Sequence, residues 1–225
     1  MRNAAPALSP AILLALTAVT GIVDAVSFLA LGHVFTANMT GNVAFLGFAL
    51  GGASGLSIRR SVLALFAFMA GAVAGGRIVA KEDTSRWVVQ ALTIEAILLL
   101  GAADAGLGLT VPAPGNALRI GIVIAFTAIA MGIRNAAVRK LAVPDLTTTV
   151  LTLTVTGLVA ESALAGGTNP RWLRRGGAVF AMLGGAAAGA LLLRRSVALA
   201  LLVSGVMTAG CAAAAFYTNR KEGSA

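Results

Sequence analysis

FTANMTGNVAFLGFALG, Phe35 to Gly51, and LTLTVTGLVAESALAGG, Leu151 to Gly167, are two versions of one segment. Seven of the 17 positions are identical, including Thr36/Thr152, Thr40/Thr156, Gly41/Gly157, Val43/Val159 and Ala44/Ala160. Chance in a chain so rich in Ala, Gly and Leu gives about two. The match extends outward in the same order. Upstream, Gly21–Ala25 (GIVDA) pairs with Gly132–Ala136 (GIRNA). Downstream, Arg59-Arg60 pairs with Arg174-Arg175, and each pair precedes a GxxxG, at Gly71/Gly75 and Gly185/Gly189. The reading is a duplicated unit: residues 1–107, a linker at 108–115 without charge, and residues 116–225. Four spans per unit would make the copies parallel, and three would make them inverted.

Composition sets the solvent. The 225 residues are 58% hydrophobic and 11% charged, against about 25% charged in an ordinary soluble domain. Too few polar side chains remain to cover a water-soluble surface. The chain is also too apolar for disorder, and Cys211 alone makes no disulfide scaffold. Eight apolar runs stand out, at 11–32, 37–57, 61–80, 87–107, 116–138, 148–166, 176–193 and 196–217. A crossing helix needs about 20 such residues. The expected fold is therefore all-α, a polytopic helical membrane bundle with six to eight full crossings. The runs at 37–57 and 148–166, rich in Thr, Asn and Gly, are the ones expected to be broken or re-entrant.

The net charge of +9 lies mostly in short basic clusters bordering the apolar runs, as membrane topology produces, and does not call for nucleic acid. Only Arg2 precedes the first run, which continues to Gly32, so it reads as a retained span and not a signal peptide. Over eight spans the basic residues divide evenly, and the positive-inside rule selects no orientation.

Ionisable groups inside spans are costly, about 2.5–3.5 kcal/mol at a span centre on insertion scales. Asp24, Glu95 and Glu161 fall in spans and are the proton-coupling candidates, with Arg119 and Arg134 as charge partners. The bland reading locks each acid in an ion pair or hydrogen bond within the bundle. Asp24 faces Asn135 across the repeat, so a site between the copies would hold one negative charge. Asn38, Thr40, Asn42, Thr148, Thr152 and Thr156 are the remaining pathway candidates. Hydroxyls and amides can line a polar route, although Thr also bonds back to its own helix and Asn also knits helices together. His33 reads as interfacial, Trp87 and Trp172 as interface anchors, and Cys211 as a small packed residue. No HExxH, GxSxG, Walker A or CxxC occurs, and one His and one Cys offer little to a catalytic triad or metal site. No enzyme activity, cofactor or metal is expected.

GIVDAVSFLALGHVFTANMTGN, with GIRNAAVRKL and TTTVLTLTVTGLVAES, resembles the YoaK family of bacterial multi-pass inner-membrane proteins, a domain of unknown function. The resemblance runs from about Ala11 to Tyr217. Many relatives carry Gln-Asn at Arg134-Asn135 and Arg-Thr-Thr at Leu146-Thr147-Thr148, so this chain adds a charge beside the motif. The resemblance implies fold and an inner-membrane location but brings no activity. Together the residues and the resemblance lead to a small-solute transporter with a polar site between its halves, in contact with the lipid bilayer and able to form a homodimer. The alternative is a membrane interaction or assembly protein without transport.

Overall fold

The computed structural model describes residues 8–81, 86–110, 116–141 and 151–222. Their regular structure is helical: α1 (Pro10–Ala30), α2 (Met39–Leu50), α3 (Ile58–Lys81), α4 (Arg86–Ala105), α5 (Ala117–Leu141), α6 (Leu151–Ala160), α7 (Trp172–Leu193) and α8 (Val197–Glu222), with a 3₁₀ turn at Ala163–Ala165. Six of these, α1, α3, α4, α5, α7 and α8, are long and apolar enough to cross a bilayer. The two segments expected to be broken form the short helices α2 and α6, of 12 and 10 residues. At 1.5 Å per residue neither can span a core about 30 Å thick. The molecule is a polytopic helical membrane bundle with six full crossings among the described residues.

Local chemistry sets the ends of α1. Pro10 opens the helix, and the Ser9 hydroxyl accepts the Ile12 N–H at 3.4 Å. At the other end Gly32 and His33 both take positive φ, 96° and 57°, and turn the chain back. The His33 N–H then closes onto the Phe28 carbonyl at 3.1 Å.

Packing registers give the helix directions. One core cluster gathers Leu13, Val79, Val88, Leu141, Ala178 and Cys211. A second gathers Ala30, Ala64, Ala102, Ile120, Leu193 and Val197. So α1, α4 and α7 run from the first cluster to the second, and α3, α5 and α8 run back.

The GxxxG helices pack crosswise. A Cβ at Gly71 would overlap the Ile129 carbonyl, and one at Gly75 would crowd Ile133. Likewise a Cβ at Gly185 would overlap the Ala18 carbonyl, and one at Gly189 would crowd Ile22. The reciprocal contacts are Gly132 against the Phe68 carbonyl and Gly21 against the Met182 carbonyl. Positions 18, 21 and 22 of α1 thus do on α7 what 129, 132 and 133 of α5 do on α3, at the spacing read from the sequence. Small residues allow this backbone contact between membrane helices.

One of the two aromatic expectations differs from the structure. Trp172 opens α7 and is exposed, as an interface anchor should be, but Trp87 is packed inside the first core cluster. Cys211 is buried in the same cluster.

The glycine contacts yield a paired test. Gly185→Val should force α1 and α7 apart and destabilise the protein by about 1–3 kcal/mol, as overpacking does. Gly184→Val, where a Cβ meets nothing within 4 Å, should leave stability within about 0.5 kcal/mol of the parent. Thermal unfolding of both variants in one detergent reads the difference.

Candidate functional site

The first polar centre is where the chain doubles back after α1. Asp24 lies six residues before the end of α1, about 9 Å in from that end. It is buried, and its Oδ1 accepts the Ala37 N–H at 3.1 Å. Residues 31–38 therefore return to the depth of Asp24 before α2 starts at Met39 and leads outward to α3. The amino end of α2, at Met39, follows two residues after the amide that meets the carboxylate.

Asn42 holds that loop. Its Oδ1 accepts the Phe35 N–H at 2.8 Å, and its Nδ2 donates to the Phe35 carbonyl. The side chain is fully enclosed, so it braces the loop and does not reach solvent. Phe28, Phe35 and Phe45 cluster, with Phe35 stacked on the other two at 5.1 and 5.7 Å between centroids and Phe28 6.0 Å from Phe45. His33 meets Phe28 edge-on at 5.1 Å. The Thr36 hydroxyl is enclosed next to Ala37 and has no hydrogen-bond partner. Asn38 precedes α2 without a side-chain capping bond, and both Asn38 and Thr40 face outward. Thr36 and Thr40, four residues apart in sequence, share no helix face, because Thr36 lies in the loop.

The second centre is a sealed ion pair. Arg134 and Glu95 are fully buried, deep in α5 and α4. Arg134 Nε donates to Glu95 Oε2 at 2.9 Å, and Nη2 donates to Oε1. Its Nη1 donates to the Leu16 carbonyl at 2.7 Å and to Thr20 Oγ1 at 2.8 Å. The Thr208 hydroxyl sits 3.4 Å from Oε1. One guanidinium thus ties α1, α4 and α5 together, with α8 closing the site. A bidentate pair with its remaining donors satisfied is the arrangement that makes buried charge tolerable.

The other sequence candidates lie elsewhere. Asn135 donates to the Met131 carbonyl of its own helix at 2.8 Å. It lies six residues before the end of α5, which runs opposite to α1. Asp24 and Asn135 are therefore near opposite ends of the bundle, roughly 12 Å apart in depth across a 30 Å core. They do not converge on one midplane site. Glu161 falls just beyond α6, half-exposed, and pairs with Arg175 at 2.9 Å. Arg175 also donates to the Gly157 carbonyl at 2.6 Å. Arg119 pairs with no acid among the described residues. It is the third residue of α5, and it donates to the Ala105 carbonyl at 3.2 Å and to the Leu107 carbonyl, finishing the carboxyl end of α4. Thr152 and Thr156 face outward, whereas Thr154 between them is buried. Thr148 lies outside the described residues. No three His, Cys, Asp or Glu side chains gather among the described residues.

The profile of a family described as a protein of unknown function, DUF1275, matches residues 12–214. The chain belongs to the DUF1275 family. This DUF1275 chain is also similar to the UPF0700 transmembrane protein YoaK of Bacillus subtilis (strain 168), at 39% identity over 153 residues. That stretch covers 66% of this chain and 64% of the relative, so it spans a little under two thirds of YoaK. No solved structure matches. The family and the six apolar helices make this a multi-pass membrane protein, and the family carries no assigned activity.

Sequence reading did not single out Thr20 and Thr208, which complete the ion-pair site, or the enclosed hydroxyl of Thr36. Polar residues in otherwise apolar spans were the available signal. What they touch depends on helix rotation.

Two predictions follow from these contacts. Arg134→Met or Glu95→Leu alone leaves one buried charge unmatched and should cost about 3–5 kcal/mol. The double variant should recover most of that loss, as a thermal-unfolding mutant cycle will show. At the loop, Thr36→Cys should resist a maleimide in the folded protein. Adding Asn42→Ala should expose it and raise the labelling rate about ten-fold, corresponding to roughly 1.4 kcal/mol of loop opening from the lost bonds to Phe35.

Proposed function

We propose that this DUF1275 protein is a small-solute permease of the bacterial inner membrane, built from two inverted copies of one unit and coupled to protons through Asp24. The observation that carries this reading is the return of residues 31–38 to the depth of Asp24. Irregular backbone at membrane depth is tolerated where it is buried in protein or lines a water-filled cavity. Transporters also place their binding groups at interrupted helices whose amino ends point at the site. The opposed directions of α1 and α5, and the matched glycine contacts, support the inverted duplication. On this reading Asp24, with the loop that returns to it, and Asn135 mark the two half-sites, one toward each membrane face. Glu95 holds Arg134 and carries no protons. Glu161 stabilises the α6 turn.

Six crossings also give an orientation. Ten described basic residues lie at the end where α1 begins and α8 finishes: Arg77, Lys81, Arg86, Arg139, Lys140, Arg171, Arg174, Arg175, Arg220 and Lys221. Five lie at the other end: Arg59, Arg60, Arg119, Arg194 and Arg195. The positive-inside rule then puts the start of α1 and the end of α8 in the cytoplasm.

A second reading, a membrane assembly protein without transport, draws on the fully buried Arg134–Glu95 pair at the centre of the bundle. Proteoliposomes holding a pH-sensitive dye separate the two. Solutes such as urea, glycerol and small carboxylates are applied one at a time, with and without a pH gradient. The transport reading expects a solute-dependent proton flux that Asp24→Asn lowers at least about ten-fold, while Glu161→Gln leaves it within about two-fold. Flux by Asp24→Asn equal to the parent at every pH would remove the proton role. No flux with any solute would favour assembly.

A further inference from the structure

We propose that the cavity at the α7–α8 turn is a binding site for the phosphate group of an anionic phospholipid, with an acyl chain lying along its apolar side chains. The cavity has a volume of about 530 Å³. Arg194, Arg195 and Ser196 of the turn line it with Thr110, together with the apolar Leu29, Leu109, Ala190 and Leu193. The lining thus combines cationic and hydroxyl groups with hydrocarbon. That combination matches one kind of ligand, an amphiphile with an anionic head.

The position agrees with the chemistry. The turn joins two crossing helices, so the arginines stand where a membrane helix meets its headgroup layer, and Leu29 and Leu193 are in the last turns of α1 and α7. Among the described residues neither arginine forms an ion pair. Both are exposed, so the guanidinium donors are open to a ligand. Arginine suits a phosphodiester because its planar fork can donate two parallel hydrogen bonds to it. Ser196 Oγ accepts the Leu199 N–H at 3.0 Å, which leaves its own hydroxyl proton free to be donated. The first amides of α8 add positive potential to the same rim. A free phosphate ion would use the arginines and Ser196 but would leave Leu29, Ala190 and Leu193 without a role.

The full-length protein in nanodiscs or mild detergent is titrated with phosphatidylglycerol, with phosphatidylcholine and, separately, with inorganic phosphate. Bound lipid is counted by native mass spectrometry, and thermal stability is followed in parallel. The proposal expects saturable phosphatidylglycerol binding that raises the melting temperature, little effect of phosphatidylcholine, and none of inorganic phosphate. Replacing both Arg194→Gln and Arg195→Gln should weaken phosphatidylglycerol binding roughly 30-fold, the loss expected for two basic residues near an anionic headgroup. Ala190→Trp, which fills the cavity and keeps both arginines, should also block it. It serves as the second variant should the arginine change impair folding. Equal phosphatidylglycerol binding by parent and both variants overturns the site. Stabilisation by inorganic phosphate that matches the lipid overturns the lipid as its occupant.

Discussion

Direct backbone contact between helices is the constraint on which this bundle rests. In hydrocarbon there is no hydrophobic drive to bring apolar helices together, so association depends on close packing and polar contacts. Gly71 and Gly75 set α3 against α5, and Gly185 and Gly189 set α7 against α1. Each approach brings a carbonyl to where a side chain would otherwise stand. Once α1 lies on α7 and α5 on α3, helices of the amino-terminal half are held by helices of the carboxy-terminal half. The molecule is then one interlocked membrane domain whose halves do not sit side by side.

That interlock encloses the charge. Glu95 and Arg134 come from different halves of the chain and meet in the centre, where neither could remain ionised alone. Leu16, Thr20 and Thr208 complete the hydrogen bonding from two further helices. The pair therefore acts as a registry device: it is satisfied only when four helices have the right rotation and depth. Asp24 is treated differently, since a loop amide meets it and, among the described residues, no cation bonds to it directly. One acid is locked and the other is held near an irregular segment, which is why they receive different roles.

Much of this was legible in the chain. Composition required a membrane bundle, and the apolar runs located the six crossing helices to within about five residues. The Thr, Asn and Gly content of 37–57 and 148–166 marked the two that fail to cross. The duplicated motifs pointed to the glycines that now make equivalent contacts. Arg134 was recognisable as a charge that must find a partner, although the sequence did not say which acid. The single midplane site was not supported by the structure. Asp24 and Asn135 occupy matching places in their own segments, but matching places fall at opposite depths when the segments run in opposite directions.

The sequence by itself determined the solvent, the helical class and the small-residue faces, because these depend on side-chain type and spacing along one chain. Only the tertiary structure decided that Glu95, and not Asp24, takes Arg134, that Glu161 lies outside the core, and that Trp87 is packed inside it. It also set six crossings, and with them the uneven division of basic residues between the two ends. Helix rotation, depth and direction arise from contacts between segments far apart in sequence, and periodicity within a single span carries no record of them.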